Sequence, residues 1–229
     1  MNVQTRRYEL EETPLNPVDG GTSLLVSGPR DAGLDTLVHR LLAGDDEEGT
    51  VGITSDDDGA RFRRAHRREA GHANGRSAAI VDCSGERRGG ASGPPTNTDE
   101  NTVVADPADL TAVNMQFSSL CDDLRFDGVE RVRTGLVSVS PLCAACEDMR
   151  DVYRFVQNIT SRNRRSDGLF VCAIDPDADV GDFNSGQSIT EGLSRAFGGH
   201  VKLRADGRDA EVSVEGLDGQ PAGWSSIAL

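Results

Sequence analysis

Short apolar runs alternate with amphipathic stretches along most of the chain. Leu24, Leu25 and Val26 form the first run and predict a strand over Leu24–Ser27. Leu34, Leu37, Val38, Leu41 and Leu42 then recur at helical spacing, and Gly44 closes that helix. Thr50–Thr54 predicts a second strand, Asp56–Ala70 a charged helix with few apolar anchors, and Ala78–Cys83 a third strand. That third run is apolar on both faces, as in a parallel sheet covered from both sides. Gly85–Asn101 has little to bury and is expected to be a mobile loop. Val103 and Val104 resume a strand. Asp106-Pro107 then starts a helix reaching about Leu124, with Asp106 as N-cap and the proline at the first position.

Arg133–Ser140 holds a fourth core strand. Glu147–Arg165 is the best amphipathic helix, with Met149, Val152, Tyr153, Val156 and Ile159 on one stripe. Gly168–Ile174 is the most apolar strand, and a short helix follows around Ser188–Ala196. Two alternating segments, His200–Ala205 and Ala210–Gly216, read as a hairpin turned at Asp206-Gly207-Arg208. Strand–helix alternation closing on a hairpin predicts an α/β fold: a three-layer sandwich with a mainly parallel sheet and a C-terminal antiparallel hairpin. One domain over 20–229, behind a polar lead-in at 1–19, is expected.

Charge narrows the partners. The 229 residues carry 38 acidic and 24 basic side chains, for a net −14, and Lys202 is the single lysine. With 4% aromatic residues this composition resembles proteins of salt-accumulating haloarchaea. At molar salt the Debye length falls to about 3 Å, so such a charge repels itself little while its carboxylates hold water. The same charge argues against nucleic acid, which needs a basic stripe to displace counterions. Arg61, Arg63, Arg64, Arg67 and Arg68, with His66, form a local basic run, read as a solvated face balancing Asp56, Asp57 and Asp58. No apolar stretch approaches the roughly 20 residues that span a bilayer, and Met1–Glu12 has no secretory apolar region. A cytoplasmic protein without a membrane partner is expected, its five cysteines free.

Residues 22–36 carry the chain's most informative pattern. A strand runs into Gly28, four residues follow, then Gly33 and a helix, which is the frame of G-x-x-x-x-G-K-[ST]. Leu34 stands at the lysine position and Asp35 at the metal-binding hydroxyl position. Arg30 lies where it reaches a phosphate, and Thr36, one place late, where it approaches a metal; Asp31 and Asp35 bring two opposing charges. Gly28, Pro29, Arg30, Gly33, Asp35 and Thr36 are therefore the candidate nucleotide-binding set of a degenerate Walker A loop. The alternative is that the two glycines merely make a tight strand-to-helix turn.

This opening loop, the acidic turn Ser55-Asp56-Asp57, Gly135–Leu142, Gly168–Asp177 and the Trp224 tail together resemble the RecA/KaiC-type P-loop ATPase core, and particularly the small RecA-like proteins of haloarchaea. The resemblance covers roughly residues 20–228. In active relatives the strand matching Gly135–Ser140 ends in a magnesium-holding aspartate, whereas here Ser138 or Ser140 lies near that place. A glutamate after the second strand activates water in KaiC-type relatives; Asp56 or Asp57 occupies that region, with helix capping as the other reading. The resemblance therefore implies a pseudo-ATPase without catalytic residues, needing no cofactor and acting through a protein partner or homo-oligomer. Its rival is an ATP/Mg-binding ATPase whose atypical loop is completed by a neighbouring subunit.

Other constellations are weaker. Cys143-Ala-Ala-Cys146 has the C-x-x-C form of a redox pair, or simply packs small residues under a loop, and no second paired spacing completes a zinc site. Asp175 and Asp177 follow a strand where α/β folds bind ligands, or form an ordinary turn. His39 and His66 lie on helices without a partner at ligand spacing.

Overall fold

Seven parallel strands form the spine of the molecule. The computed structural model describes residues 6–70, 78–84, 101–178, 188–207 and 209–229. The loop expected at Gly85–Asn101 lies outside these, apart from Asn101. In chain order the parallel strands are β3 (Ser23–Ser27), β4 (Glu48–Thr54), β5 (Ala79–Asp82), β6 (Thr102–Val104), β7 (Arg131–Leu136), β8 (Leu169–Ile174) and β9 (Gly199–Asp206). Antiparallel β10 (Asp209–Glu215) and β11 (Ser225–Ile227) extend the sheet beyond β9, giving the order β11-β10-β9-β3-β8-β7-β4-β5-β6. The mainly parallel sheet with a C-terminal hairpin is thus as expected.

Alternation along each strand divides the core in two. Leu24 and Val26 join Ile80 and Val171 against α1 (Leu34–Leu42) and α2 (Gly59–Ala70). Leu25, Val51, Ile53, Val81 and Phe170 face α3 (Leu110–Phe126), α5 (Met149–Arg165) and α6 (Ile189–Ser194). Each such large apolar side chain contributes about 1.5–3 kcal/mol by leaving water. The helices on the α1 side lie close because Gly52 and Gly135 are paired across β4 and β7. A Cβ on Gly52 would overlap the Phe62 ring of α2, and one on Gly135 would overlap Leu42 of α1.

The N-terminal segment is polar by count, yet it contributes to this core. β1 (Arg7–Tyr8) and β2 (Val18–Asp19) form a small ribbon, and Tyr8, Leu10, Leu15 and Val18 are buried. Tyr8 donates to the Asp167 carbonyl at 3.0 Å, and its ring lies under the guanidinium groups of Arg131 and Arg133, 5.1 and 5.4 Å away. Both arginines pair with Glu48, which is 3% exposed. Arg133 also donates to the carbonyls of Leu41 (3.0 Å) and Glu9 (2.8 Å).

Several element boundaries differ from expectation by a few residues, α2 for instance starting at Gly59 rather than Asp56, and two of the differences bear on caps and turns. Asp106 does not cap α3: it accepts the Ala108 N–H at 2.9 Å in a turn, and Asp109 is the cap, accepting from Ala112 at 2.9 Å. β7 ends at Leu136, because Pro141 suits the first turn of the short helix α4 (Ser140–Ala145) better than a strand.

Candidate functional site

The candidate loop forms a closed turn. β3 ends at Ser27, whose hydroxyl lies 2.7 Å from His200 Nε2 on β9, and the Gly28 N–H donates to the Ile174 carbonyl at 3.3 Å. Pro29 is extended, Arg30–Ala32 make one 3-10 turn, and Gly33 has φ +91°. That left-handed conformation turns the chain into α1 and favours glycine. The N–H groups of Ala32 and Gly33 donate within the turn, to Pro29 (3.2 Å) and Arg30 (3.0 Å). Two donors of a phosphate cradle are thereby already occupied.

The side chains complete the contrast with a magnesium–nucleotide site. Leu34 is 2% exposed and belongs to the core under α1, so the lysine position points away from any phosphate. Asp35 takes the hydroxyl position with Oδ1 buried and unpartnered. Burial raises its pKa, Asp57 and Asp175 add to the rise, and Arg30 and Arg61 oppose it. Past the end of β7 the cleft wall is Val137 and Ser138, neither a carboxylate. Leu34 supplies no cation at the lysine position and neither Val137 nor Ser138 supplies a carboxylate past β7, so the side chains at these positions do not fit magnesium with a triphosphate.

A cleft of about 740 Å³ nevertheless opens at the C-terminal ends of β4 and β7, beside the loop after β3. Open α/β sheets bind ligands at this edge, where neighbouring connections diverge. Gly33, Arg30, Asp35, Thr36 and His39 line one side. The segment after β4 adds Asp56 and Asp57, and α2 adds Arg61, Arg64 and Arg68. Gly28 and Pro29 belong to the turn rather than to the lining. Arg30 forms an ion pair with Asp56, so the expected phosphate ligand is already held by a carboxylate. Asp57 pairs with Arg61 at 3.0 Å. Capping of α2 falls instead to Asp58, which accepts the Arg61 N–H at 2.8 Å.

The basic run does not scatter evenly. Arg61, Arg64 and Arg68, at helical spacing of three and four, share the face of α2 that lines the cleft. That spacing was present in the sequence but hidden among the intervening arginines. His66 points inward: His39, Phe62 and His66 form a buried aromatic group, Phe62 lying 4.9 Å from His39 and 6.0 Å from His66 between ring centres. Burial, helped by the neighbouring His66, lowers the His39 pKa to about 3. Burial, with Arg133 nearby, lowers that of His66 to about 4.

The remaining candidates are structural in form. Burial pushes the Cys143 thiol up to about 12 and raises that of Cys146, the opposite of an activated thiolate. All five cysteines are free. Asp175 accepts the Asp177 N–H at 3.0 Å, an ordinary turn bond. Among the described residues no group of three or more His, Cys, Asp or Glu side chains is placed to hold a metal ion. Among them, too, no helix is long and apolar enough to cross a membrane.

Comparison with known proteins agrees with the topology. A family model described as a Family of unknown function (DUF7504) matches residues 21–197. No curated protein matches the sequence significantly. The chain is similar in structure to the KaiC-like protein PH0186 of the hyperthermophilic archaeon Pyrococcus horikoshii OT3. The TM-score is 0.64 at 11% identity, over 97% of this chain and 93% of that one. At that identity the likeness establishes a RecA/KaiC-like fold.

Proposed function

We propose, for a chain that belongs to the DUF7504 family, a regulatory or protein-interaction role on a RecA/KaiC-like fold that does not hydrolyse nucleotide. The burial of Leu34 carries this reading, because the lysine position serves the core instead of a phosphate. Arg30 held by Asp56, and a cleft wall without a carboxylate after β7, support it. Each group so replaced stabilises charge directly in phosphoryl transfer. Contacts with a protein partner are supported by the outer face of α3, where Met115 is 66% and Phe126 93% exposed. Residues 20–229 act as one unit in this reading, and the acidic, lysine-poor surface suits a salt-rich cytoplasm.

Phosphate release from Mg-ATP by the full chain tests it, over a range of protein concentrations. No turnover is expected. Turnover of even about 1 per second, abolished by Gly33→Arg, would refute the proposal. Activity that rises more steeply than protein concentration would instead establish a site completed between subunits.

A further inference from the structure

Four arginines line a cleft in a chain whose net charge is −14. Arg30 comes from the turn after β3, and Arg61, Arg64 and Arg68 from one face of α2. The lining carboxylates are Asp35, Asp56 and Asp57, so four positive charges meet three negative ones and the cleft is locally cationic. Three of the arginines are already held by carboxylates of this chain: Arg30 by Asp56, Arg61 by Asp57 at 3.0 Å and Arg68 by Glu69 at 3.1 Å. Arg64 is exposed and has no hydrogen-bond or ion-pair partner among the described residues.

His39 adds an independent indication on α1. It is 4% exposed and lines the same cleft, yet its Nδ1 has no hydrogen-bond partner. A buried polar atom carries a desolvation penalty until something bonds it, and the main chain of a segment lying in the cleft supplies such a partner. The layout of the arginines selects the kind of anion. Arg61 to Arg68 spans about 10 Å of helix axis, so these guanidinium groups are rooted in a row rather than around one centre. On an extended segment alternate side chains share a face about 7 Å apart, a spacing that long arginine side chains cover. Carboxylates accept paired guanidinium N–H bonds, and carboxylates are what the arginines of this cleft already bind.

We propose that this cleft docks an extended acidic segment of a partner protein, its glutamate or aspartate side chains taken by Arg64 and Arg68 and its main chain by His39. One carboxylate of the segment gives Arg64 its first partner. Another replaces Glu69 at Arg68, while Glu69 keeps Arg40, from which it accepts at 3.2 Å. This docking rests on the protein-interaction role proposed above, to which it adds the chemistry of the partner.

Calorimetric titration of the full chain with a capped peptide alternating glutamate with alanine tests it, the glutamine–alanine peptide serving as neutral counterpart. Both are run at the lowest KCl concentration that preserves the melting transition. The overall field of a chain at −14 repels an acidic peptide, so binding reports the local arginines rather than bulk attraction. The glutamate peptide is expected to bind, and the glutamine peptide at least about tenfold more weakly. Combining Arg64→Ala with Arg68→Ala should weaken the glutamate peptide at least about tenfold. Arg64→Ala alone should act in the same direction and leave the melting temperature unchanged, since that side chain is exposed and unpartnered. Arg150→Ala, on exposed α5 surface, removes the same charge and should leave the affinity as it is. His39→Phe keeps an aromatic ring beside Phe62 and should weaken the glutamate peptide. No binding of the glutamate peptide, equal affinity for the two peptides, or full affinity in either His39→Phe or the double arginine variant overturns the proposal. So does inorganic pyrophosphate that binds more tightly than the glutamate peptide with the same arginine dependence, which would assign the row to phosphate. ATP turnover would refute the non-hydrolysing role and leave arginine-dependent peptide binding standing. Absence of both peptide binding and turnover overturns the docking alone.

Discussion

Acid should destabilise this protein through two histidines before it protonates most of the surface. His39 and His66 are 4% and 3% exposed, and in the fold their pKa values fall to about 3 and about 4. In the unfolded chain an imidazole titrates near its ordinary value of about 6.5. Between those values the unfolded state binds protons that the folded state refuses, so stability is full above about pH 6.5 and declines as pH falls. Each histidine should cost about 2 kcal/mol on going from about pH 7 to about pH 5, or about 4 kcal/mol for the pair. That is a large part of the roughly 5–15 kcal/mol that holds an ordinary domain together. Asp35 works the other way, because its raised pKa lets the fold take up a proton as pH falls, and it trims the loss.

Urea unfolding followed by circular dichroism, in the same KCl at both pH values, measures the change. The wild-type midpoint should drop sharply at the lower pH. The double variant His39→Phe with His66→Phe keeps an aromatic group beside Phe62 but cannot titrate, and its midpoint should move much less. An unchanged wild-type midpoint, or an equal loss in the double variant, would sink the reasoning.

Glu48→Ala should destabilise the fold by about 3–5 kcal/mol, because it strands the buried Arg133 without its counter-charge and leaves the half-buried Arg131 with Asp45 alone; a denaturation midpoint within error of wild type would contradict that. Raising KCl from dilute buffer to about 2 M should raise the melting temperature markedly, since screening relieves self-repulsion in a chain of net charge −14. A melting temperature independent of salt would remove the halophilic reading of the composition.

Hydrophobic periodicity made the layers legible, because strands such as Ala79–Asp82 and Leu169–Ile174 are apolar on both faces and the stripe of α5 is unbroken. The Gly28–Gly33 frame likewise announced a strand–turn–helix at the ligand edge of the sheet. What stayed hidden depends on contacts between distant segments. Asp56 reads as a helix cap, or else as a base, until Arg30, 26 positions earlier by number, is placed against it. His66 reads as one more basic residue in an arginine-rich helix, and only the packing of α2 on α1 turns it inward. The arginine stripe was written in the spacing of 61, 64 and 68, but the intervening Arg63 and Arg67 masked it. Tyr8 and Val18 gave too sparse an apolar signal to reveal that the lead-in covers the core.

The adjoining Gly52 and Gly135 set a dimension of the cleft from beneath. Each stands two residues before a lining residue, Thr54 and Val137 respectively. Phe62 and Leu42 drop into the shallow socket that the two missing side chains leave, seating α2 and α1 at their lowest height over the sheet. The gauge of the cleft is therefore fixed by atoms that are not there: any side chain in that socket would jack both helices outward and spread the arginines of α2 from His39 of α1 without touching a single charge.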